Sequence, residues 1–256
     1  MNYIIKASAI SNVGKVRSLN QDNYYFKDFY LPEIHYSVDK KSYQTSTSNH
    51  QLFAVFDGMG GETSGEKASF LATLHLKRMF LENNHITPDW FSKYCNFTNQ
   101  LIVDETKLRK YKHMGTTAVI MNLYQEEFQI CTLGDSSIFC YREGQLERLN
   151  PLHDNSEILK KYNIQNQTPE LTQFLGIDPQ IMIIEPYYYQ NKLKINDIYL
   201  LCSDGLAGIL SIEEIKKTIE NQNNIDDINE QLLNDVLIKG APDNVTIIII
   251  EIKREE

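Results

Sequence analysis

The 256-residue sequence is poor in positive charge and has no long apolar run. It contains 25 Lys and Arg residues against 34 Asp and Glu residues, which gives a formal net charge of -9. A surplus of negative charge repels nucleic acids and anionic membranes, so neither is an expected partner. The apolar stretch VTIIIIEI at 245–252 is far shorter than the roughly 20 residues of a membrane-spanning helix.

Cysteine is scarce and widely spaced, with no Cys-x-x-Cys pair among Cys95, Cys131, Cys140 and Cys202. This spacing argues against a structural zinc site and favours a reducing compartment. None of the four has an arginine six positions later, so the Cys-x5-Arg phosphate loop of thiol-dependent phosphatases is absent. The N-terminal stretch MNYIIKASAI is too weakly apolar for a signal peptide, and we expect a cytoplasmic protein.

Strand patterns dominate the chain and helix patterns are fewer. Short segments rich in Ile, Val, Tyr and Phe predict strands at 3–10, 52–56, 117–123, 128–134, 137–142, 180–189, 198–203 and 245–252. Strand runs that are interrupted by paired helices favour an α+β fold, in which sheets pack face to face and helices lie outside. We expect one domain over 1–256, with the polar segment 31–51 as a surface insertion.

Four helices are indicated by sequence signals at their starts or ends. Capping-box spacing occurs at Thr63 and Glu66 and again at Ser211 and Glu214, and a further helical segment runs from Asp227 towards Gly240. The pair Thr87-Pro88 predicts the start of another helix, which lies between these two capping boxes in the sequence. Its helical spacing predicts one buried face made of Trp90, Tyr94, Phe97 and Leu101.

Aspartates lie at the ends of four apolar segments. Asp57 and Asp204 follow strand-like runs and precede glycine, Asp243 begins the segment before VTIIIIEI, and Asp22 precedes the aromatic run NYYF. Taken singly, Asp-Gly and Asp-Asn pairs are common in turns. Taken together, carboxylates and a glycine carbonyl are ligands that Mg²⁺ or Mn²⁺ prefers, and gathered carboxylates repel each other unless a cation neutralises them. A two-metal site is therefore a hypothesis beside the simpler reading as turns.

The sequence resembles the metal-dependent serine/threonine protein phosphatases of type 2C, in their bacterial form. The motifs that carry this resemblance occur in order over nearly the whole chain: SNVGKVRSLNQDNYYF (11–26), FAVFDGMGGETSGEKAS (53–69), MGTTAVI (114–120), LGDSSIFCYREGQLERLN (133–150), LCSDGL (201–206) and GAPDNVTIIIIEI (240–252). The resemblance implies a four-layer α-β-β-α sandwich, in which two antiparallel sheets pack face to face with two helices outside each.

The resemblance also implies roles for individual residues. Asp57 would bridge two Mn²⁺ or Mg²⁺ ions, and the carbonyl of Gly58 would complete one coordination sphere. Asp204 and Asp243 would hold the second ion, while Asp22 would act through metal-bound water or from the residues around the direct ligands. Arg17 would grip the substrate phosphate with its guanidinium fork. A water bridging the two ions would then attack phosphorus in line.

Some positions depart from the pattern of the family, and two positions have a second interpretation as ordinary structural residues. Asp135 matches a family aspartate near the metal-bound waters, but a turn role is nearly as plausible. His113 stands where bacterial relatives often place a third-metal aspartate, so a third ion would bind more weakly, and an exposed histidine is the simpler reading. Ser137 replaces an arginine and Glu62 a histidine. The segment 150–178 takes the place of the mobile flap of the family and is short.

Three functional hypotheses follow from these motifs. The first is a protein phosphatase acting on phosphoserine and phosphothreonine, with phosphoprotein substrates, an opposing kinase and a monomeric state. The second is a weak or inactive relative that binds phosphoproteins as a regulatory module, because a fold by itself does not fix an activity. The third is a phosphatase of small phosphorylated molecules.

Overall fold

The computed structural model describes residues 3–59, 64–164 and 167–254. Its strands β1 to β13 span Tyr3–Asn12, Asn23–Phe26, Val38–Ser46, Gln51–Phe56, Gly58–Met59, Gly115–Thr116, Ala118–Tyr124, Glu127–Leu133, Ser137–Arg142, Gln145–Arg148, Tyr187–Lys192, Ile198–Cys202 and Val245–Arg254. Its helices α1 to α6 span Gly65–Glu82, Pro88–Arg109, Ser156–Lys161, Asp204–Ala207, Ile212–Asn221 and Ile225–Ile238.

Two antiparallel sheets form the centre of the described structure. The first has six strands in the order β10-β9-β12-β13-β1-β3, and the second has five in the order β11-β8-β7-β4-β2. Strand β13 lies inside the first sheet, where it pairs with β1 from Asn12↔Val245 to Tyr3↔Arg254. Its isoleucines alternate between two apolar layers, because successive side chains of a strand point to opposite faces. Ile248 and Ile250 face the second sheet, whereas Ile247 and Ile249 face helices.

Three apolar cores separate four layers. One core lies between the two sheets, a second joins the outer face of the second sheet to α1 and α2, and a third joins the outer face of the first sheet to α5 and α6. Each core contains many side chains that are fully buried, so burial of apolar surface stabilises all three interfaces. The predicted α-β-β-α sandwich is therefore confirmed.

Most predicted helix starts are present. Thr87 caps α2 by accepting a hydrogen bond from the backbone N–H of Trp90 at 3.2 Å, and Ser211 with Glu214 forms a complete capping box at α5. Helix α6 begins two residues before the predicted Asp227, since Asn224 is its N-cap. Helix α1 follows Ser64, and the predicted cap Thr63 lies outside the described residues.

The face predicted for α2 was half wrong. Trp90 and Tyr94 are buried as expected, but Phe97 is 63% exposed and Leu101 is 40% exposed. Helix α2 packs on the second sheet through a face that includes Phe91, Cys95 and Ile102, which is rotated away from the predicted stripe. Both stripes fit helical spacing, and only the position of the sheet decides between them.

Two strand predictions need correction. The segment 31–51 is more than a surface insertion, because β3 (Val38–Ser46) pairs with β1 at the edge of the first sheet. Its Ser, Thr and Tyr residues suit an edge strand, where one side of the backbone and many side chains face water. The strand predicted at 180–189 begins only at Tyr187, since residues 180–186 adopt no regular strand.

No helix in the described ranges is long and apolar enough to cross a lipid bilayer.

Candidate active site

The sheet topology brings the four predicted aspartates to one end of the sandwich. Antiparallel pairing of β2 with β4 matches Asn23 with Phe56, so Asp22 and Asp57 lie one step beyond, opposite each other. In the first sheet, β12 pairs with β13 through Cys202 and Ile247. Asp204 follows β12 and Asp243 precedes β13, so both lie at the end of this strand pair.

Asp22 is buried and connects the two sheets. Its Oδ2 accepts a hydrogen bond from the Ser203 hydroxyl at 2.8 Å, and the Ser203 oxygen accepts one from the backbone N–H of Thr246 at 3.0 Å. Burial raises the pKa of Asp22 to about 7, although the hydrogen bonds of Thr246 and Ser203 act in the opposite direction. Repulsion by Asp204 and Asp243 adds to the increase.

Asp57 is held by its backbone at the tip of β4. Its N–H donates to the Thr117 hydroxyl at 3.0 Å, and its carbonyl accepts from the Thr117 N–H and the Thr116 hydroxyl, both at 2.9 Å. Burial raises the pKa of Asp57 well above its usual range, and repulsion by neighbouring carboxylates raises it further. Those neighbours are Asp22, Asp204, Asp135 and Asp243.

Asp204 lies at the first position of the short helix α4. Burial raises the pKa of Asp204, and repulsion by Asp243 adds to the effect, whereas a side-chain hydrogen bond with Asp57 and attraction to Arg17 oppose it. The next residue, Gly205, packs directly on the backbone of Asn244, where an added Cβ would lie 1.9 Å from the Asn244 carbonyl oxygen. Glycine is therefore needed here for the close approach of two backbones.

Arg17 forms a two-pronged ion pair with Asp243. Its Nε donates to Oδ1 at 2.9 Å and its Nη2 donates to Oδ2 at 2.6 Å. This pairing holds the pKa of Arg17 above its ordinary value. The guanidinium side chain remains 54% exposed, so it lies at the rim of the carboxylate pocket.

Gly58 lies in the short strand pair β5–β6, where it is matched with Thr116. An added Cβ would lie 2.2 Å from the Gly65 carbonyl oxygen and 2.4 Å from the Gln21 carbonyl oxygen. Both contacts are with backbone atoms, which cannot move away cheaply. The close packing explains why a residue without a side chain follows Asp57.

Several supporting residues were not predicted from the sequence. Ser203 bonds Asp22, the threonine pair at 116 and 117 holds Asp57, and the amide of Gln21 donates to Glu66 at 2.9 Å. Their positions within the quoted motifs were the available signal, since each lies within a few residues of a predicted ligand or of the MGTT motif. Hydroxyl and amide side chains are too common for that signal to single them out.

Asp135 and His113 occupy different surroundings. Burial raises the pKa of Asp135 to about 7, and repulsion by Asp204 adds to this, so Asp135 belongs electrostatically to the cluster. His113 is exposed, and its backbone carbonyl accepts a hydrogen bond from the Ser64 hydroxyl at 3.2 Å. Glu62 lies outside the described residues.

The donor set fits divalent cations, although it is not a finished coordination sphere. In the residues that the structure describes, no three acidic, histidine or cysteine side chains already surround a common point. One reason is that Arg17 donates hydrogen bonds to both carboxylate oxygens of Asp243, so this side chain already has a partner. Burial nevertheless raises the pKa values of Asp22, Asp57 and Asp204, mutual repulsion adds to the increase, and added positive charge would relieve this repulsion. Oxygen donors of this kind suit Mg²⁺ and Mn²⁺.

Comparison with known proteins agrees with this arrangement. The pattern of the family described as Protein phosphatase 2C matches residues 38–237, more than three quarters of the chain. The protein phosphatase PhpP of Streptococcus pneumoniae is 25% identical over 98% of this chain and 99% of its own length. The chain belongs to the protein phosphatase 2C family.

Solved structures share the fold. The serine/threonine phosphatase of S. agalactiae superimposes with a TM-score of 0.80 at 24% identity, covering 96% of this chain and 99% of that one. The catalytic domain of the serine/threonine protein phosphatase PstP, solved in complex with two manganese ions, gives a TM-score of 0.76 at 23% identity. It covers 98% of this chain and 99% of the PstP chain. At these identities the likeness concerns the fold.

Proposed function

We propose that the protein is a metal-dependent serine/threonine protein phosphatase, which hydrolyses phosphoserine and phosphothreonine in proteins. The observation that carries this proposal is the convergence of Asp22, Asp57, Asp204 and Asp243 at one end of the two sheets, with Arg17 at the rim. The family membership, the protein phosphatase PhpP, and the serine/threonine phosphatases of S. agalactiae and PstP support the same reaction.

The residues that would hold two Mn²⁺ or Mg²⁺ ions are Asp57, the Gly58 carbonyl, Asp204 and Asp243, with Asp22 acting through water. Bound there, the ions would supply Lewis acidity toward the phosphoryl group and would activate a water molecule as the nucleophile. A third ion near His113 would bind more weakly, because imidazole adds no negative charge. The manganese in the PstP structure supports this choice of metal.

The side chains of the protein itself supply positioning and charge. Arg17 binds the substrate phosphate, because its fork of N–H donors matches two phosphate oxygens as it matches the two oxygens of Asp243 here. Asp57 and Asp22 stay fixed through the Thr117 and Ser203 contacts, so little reorganisation is needed when the substrate binds. Asp135 belongs to the same carboxylate cluster, and positive charge bound there would lower its raised pKa again.

Two other functions remain to be compared with this one, a phosphoprotein-binding module without activity and a phosphatase of small molecules. Hydrolysis of a phosphothreonine peptide and of p-nitrophenyl phosphate should be measured with Mn²⁺ and after removal of metal by EDTA. A protein phosphatase hydrolyses both substrates only with Mn²⁺. Peptide binding without turnover identifies a binding module, and turnover of small phosphate esters without peptide turnover identifies the third function.

We further propose that residues 1–256 form a single domain and act as a monomer in the cytoplasm. A serine/threonine kinase would phosphorylate the proteins that this phosphatase dephosphorylates. The continuity of the three cores across the sandwich supports a single domain. The four cysteines support a reducing compartment, since all are buried and the sulfurs of Cys95 and Cys131 lie 3.6 Å apart as thiols.

A further inference from the structure

A groove lies beside the carboxylate cluster, between the C-terminal end of α2 and the segment 171–182. Its volume is about 800 Å³, and its lining is mostly apolar. Val103, Met114 and Ile177 form a buried floor, whereas Ile181 is 82% exposed and Met182 is 41% exposed at its open side. Exposed apolar side chains in a concave surface are typical of binding sites.

The wall formed by residues 171–182 is fixed to the rest of the protein. The side chain of Asn99 on α2 accepts hydrogen bonds from the N–H groups of Gly176 at 2.7 Å and Ile177 at 3.0 Å, and it donates to the Ile177 carbonyl at 2.9 Å. Leu175 also exchanges two backbone hydrogen bonds of 2.9 Å with Thr116. The groove therefore exists before any ligand binds, which lowers the entropy cost of binding.

The rim of the groove is positive on a chain whose net charge is -9. Lys107, Lys110 and Lys112 line it together with Asp178, which pairs with Lys107 at 2.9 Å. Within the described ranges, no carboxylate forms a salt bridge with Lys110 or Lys112, and both lysines are exposed. Such a rim favours an acidic ligand.

The groove and the carboxylate pocket are connected through the short strand β6, because Met114 directly precedes this strand and Thr116 ends it. Met114 lines the groove, and Thr116, two residues further along, donates its hydroxyl to the Asp57 carbonyl. Two residues of extended chain span about 7 Å. A peptide whose phosphorylated residue occupies the carboxylate pocket can therefore place a residue two to four positions away in the groove.

We propose that this groove binds the segment that flanks the phosphorylated residue in a protein substrate. The inference rests on the proposed phosphatase function and names its substrate class. One apolar side chain of the substrate packs against Ile181 and Met182, while acidic side chains lie beside Lys110 and Lys112. The enzyme then prefers phosphoproteins with an acidic, apolar-anchored flank over small phosphate esters.

Steady-state kinetics with matched peptides test the proposal. The acidic test peptides contain phosphothreonine, with Leu and Glu two to four positions away on one side or the other. In the reference peptides, Ala replaces this Leu and Lys replaces this Glu. In the wild type, kcat/KM for one of the acidic peptides should exceed that for its reference about tenfold. The double change Lys110→Glu and Lys112→Glu should abolish this preference, because several rim charge contacts together are worth about a factor of ten.

Ile181→Asp tests the apolar anchor separately. Lys93→Glu is the control for the added negative charge, since Lys93 is an exposed lysine on α2 outside the groove. Ile181→Asp should lower the ratio of kcat/KM for the acidic leucine peptide to that for p-nitrophenyl phosphate about tenfold. Lys93→Glu should leave this ratio as in the wild type. Equal losses in Lys93→Glu, or no peptide preference in the wild type, would overturn the proposal.

A binding measurement separates failure of this proposal from failure of the phosphatase function. Affinity for a non-hydrolysable phosphonate form of the acidic peptide is measured by fluorescence anisotropy, which needs no turnover. Weaker binding by the groove variants alone supports the groove even in an inactive protein. Sedimentation of the wild type and Ile181→Asp completes the test: a wild-type dimer that Ile181→Asp dissociates would show that a second copy occupies the groove, against the proposal.

Discussion

Asn244 fastens the loop that carries Arg17 to the strand that follows Asp243. Its Oδ1 accepts the backbone N–H of Gln21 at 2.8 Å, and its Nδ2 donates to the carbonyls of Val13 at 2.9 Å and Leu19 at 3.1 Å. Residues 223 or more positions apart in sequence are therefore joined by one buried side chain. The sequence motif around Asp243 is thus a structural clamp as well as a source of a carboxylate.

Asn244→Ala should destabilise the protein and reduce activity together. The change leaves buried backbone groups without partners, so we expect the free energy of unfolding to fall by about 2 kcal/mol. Arg17 and Asp22 would lose their fixed position, and kcat/KM for a phosphopeptide would fall as well. Urea unfolding and steady-state kinetics measure both effects. Asn96→Ala, an exposed change on α2, is the control, and equal effects in the two variants would contradict the clamp.

Arg17→Ala should weaken substrate binding more than it slows turnover. Loss of hydrogen bonds to a charged phosphate costs about tenfold to a hundredfold in kcat/KM. Arg17→Lys keeps the charge without the fork and should recover only part of the loss. Kinetics at saturating Mn²⁺ measure kcat and KM separately. Full recovery by lysine would show that charge alone is needed and that the fork is not.

Metal removal should make stability depend on pH through Asp22. Its folded pKa of about 7 lies above the unfolded value of about 3.9, so the neutral form is favoured in the folded state. The cost of ionisation is absent below pH 4, grows as the pH rises and is complete above pH 7. At its upper limit it is about 4 kcal/mol.

Thermal unfolding with EDTA at pH 4 to 8 measures this cost by comparing the wild type with Asp22→Asn. The variant should gain stability relative to the wild type across this range, because it carries no charge at that position. Added Mn²⁺ should stabilise the wild type more at pH 8 than at pH 5, since ligand carboxylates must be ionised to bind a cation. A stability difference that does not change with pH would contradict the raised pKa.

Gly58→Ala should abolish activity while a control glycine tolerates the same change. The new Cβ would lie 2.2 and 2.4 Å from backbone oxygens of Gly65 and Gln21, so the loop beside Asp57 must move. Gly144 has no heavy atom within 4 Å of an added Cβ, although its φ of +78° makes alanine there cost about 1 kcal/mol. Mn²⁺-dependent activity should survive Gly144→Ala. Comparable activity in the two variants would show that the close packing at Gly58 is dispensable.

The sequence predicted the layers of the fold better than their edges. The stretch 245–250 of the last strand is apolar except for Thr246, because it is buried on both faces, and it was readily recognised. Val38–Ser46 was missed because an edge strand faces water and reads as a polar loop. Phe97 was misplaced because two helical stripes fit the same spacing, and only tertiary packing selects one.

The site residues were predicted from the order of motifs along the sequence and not from contacts between side chains. Each aspartate could be recognised by its strand end, and their convergence followed only from the resemblance to known phosphatases. The pairing of Arg17 with Asp243 joins residues 226 positions apart, which no local pattern predicts. The neighbourhood of Asp22 and Asp57 likewise depends on the register of β2 against β4.

The most direct test of the proposed function is the Mn²⁺-dependent hydrolysis of a phosphothreonine peptide by the wild type and by Asp57→Asn. Asn keeps the shape of Asp57 and removes its charge, and Asp104→Asn makes the same change on the exposed side of α2. Loss of groups that merely support metal ligands costs tenfold to about a hundredfold, so loss of a ligand should cost at least about a hundredfold in kcat. The account predicts that loss in Asp57→Asn, with wild-type activity in Asp104→Asn. Undiminished activity in Asp57→Asn at all Mn²⁺ concentrations would contradict it.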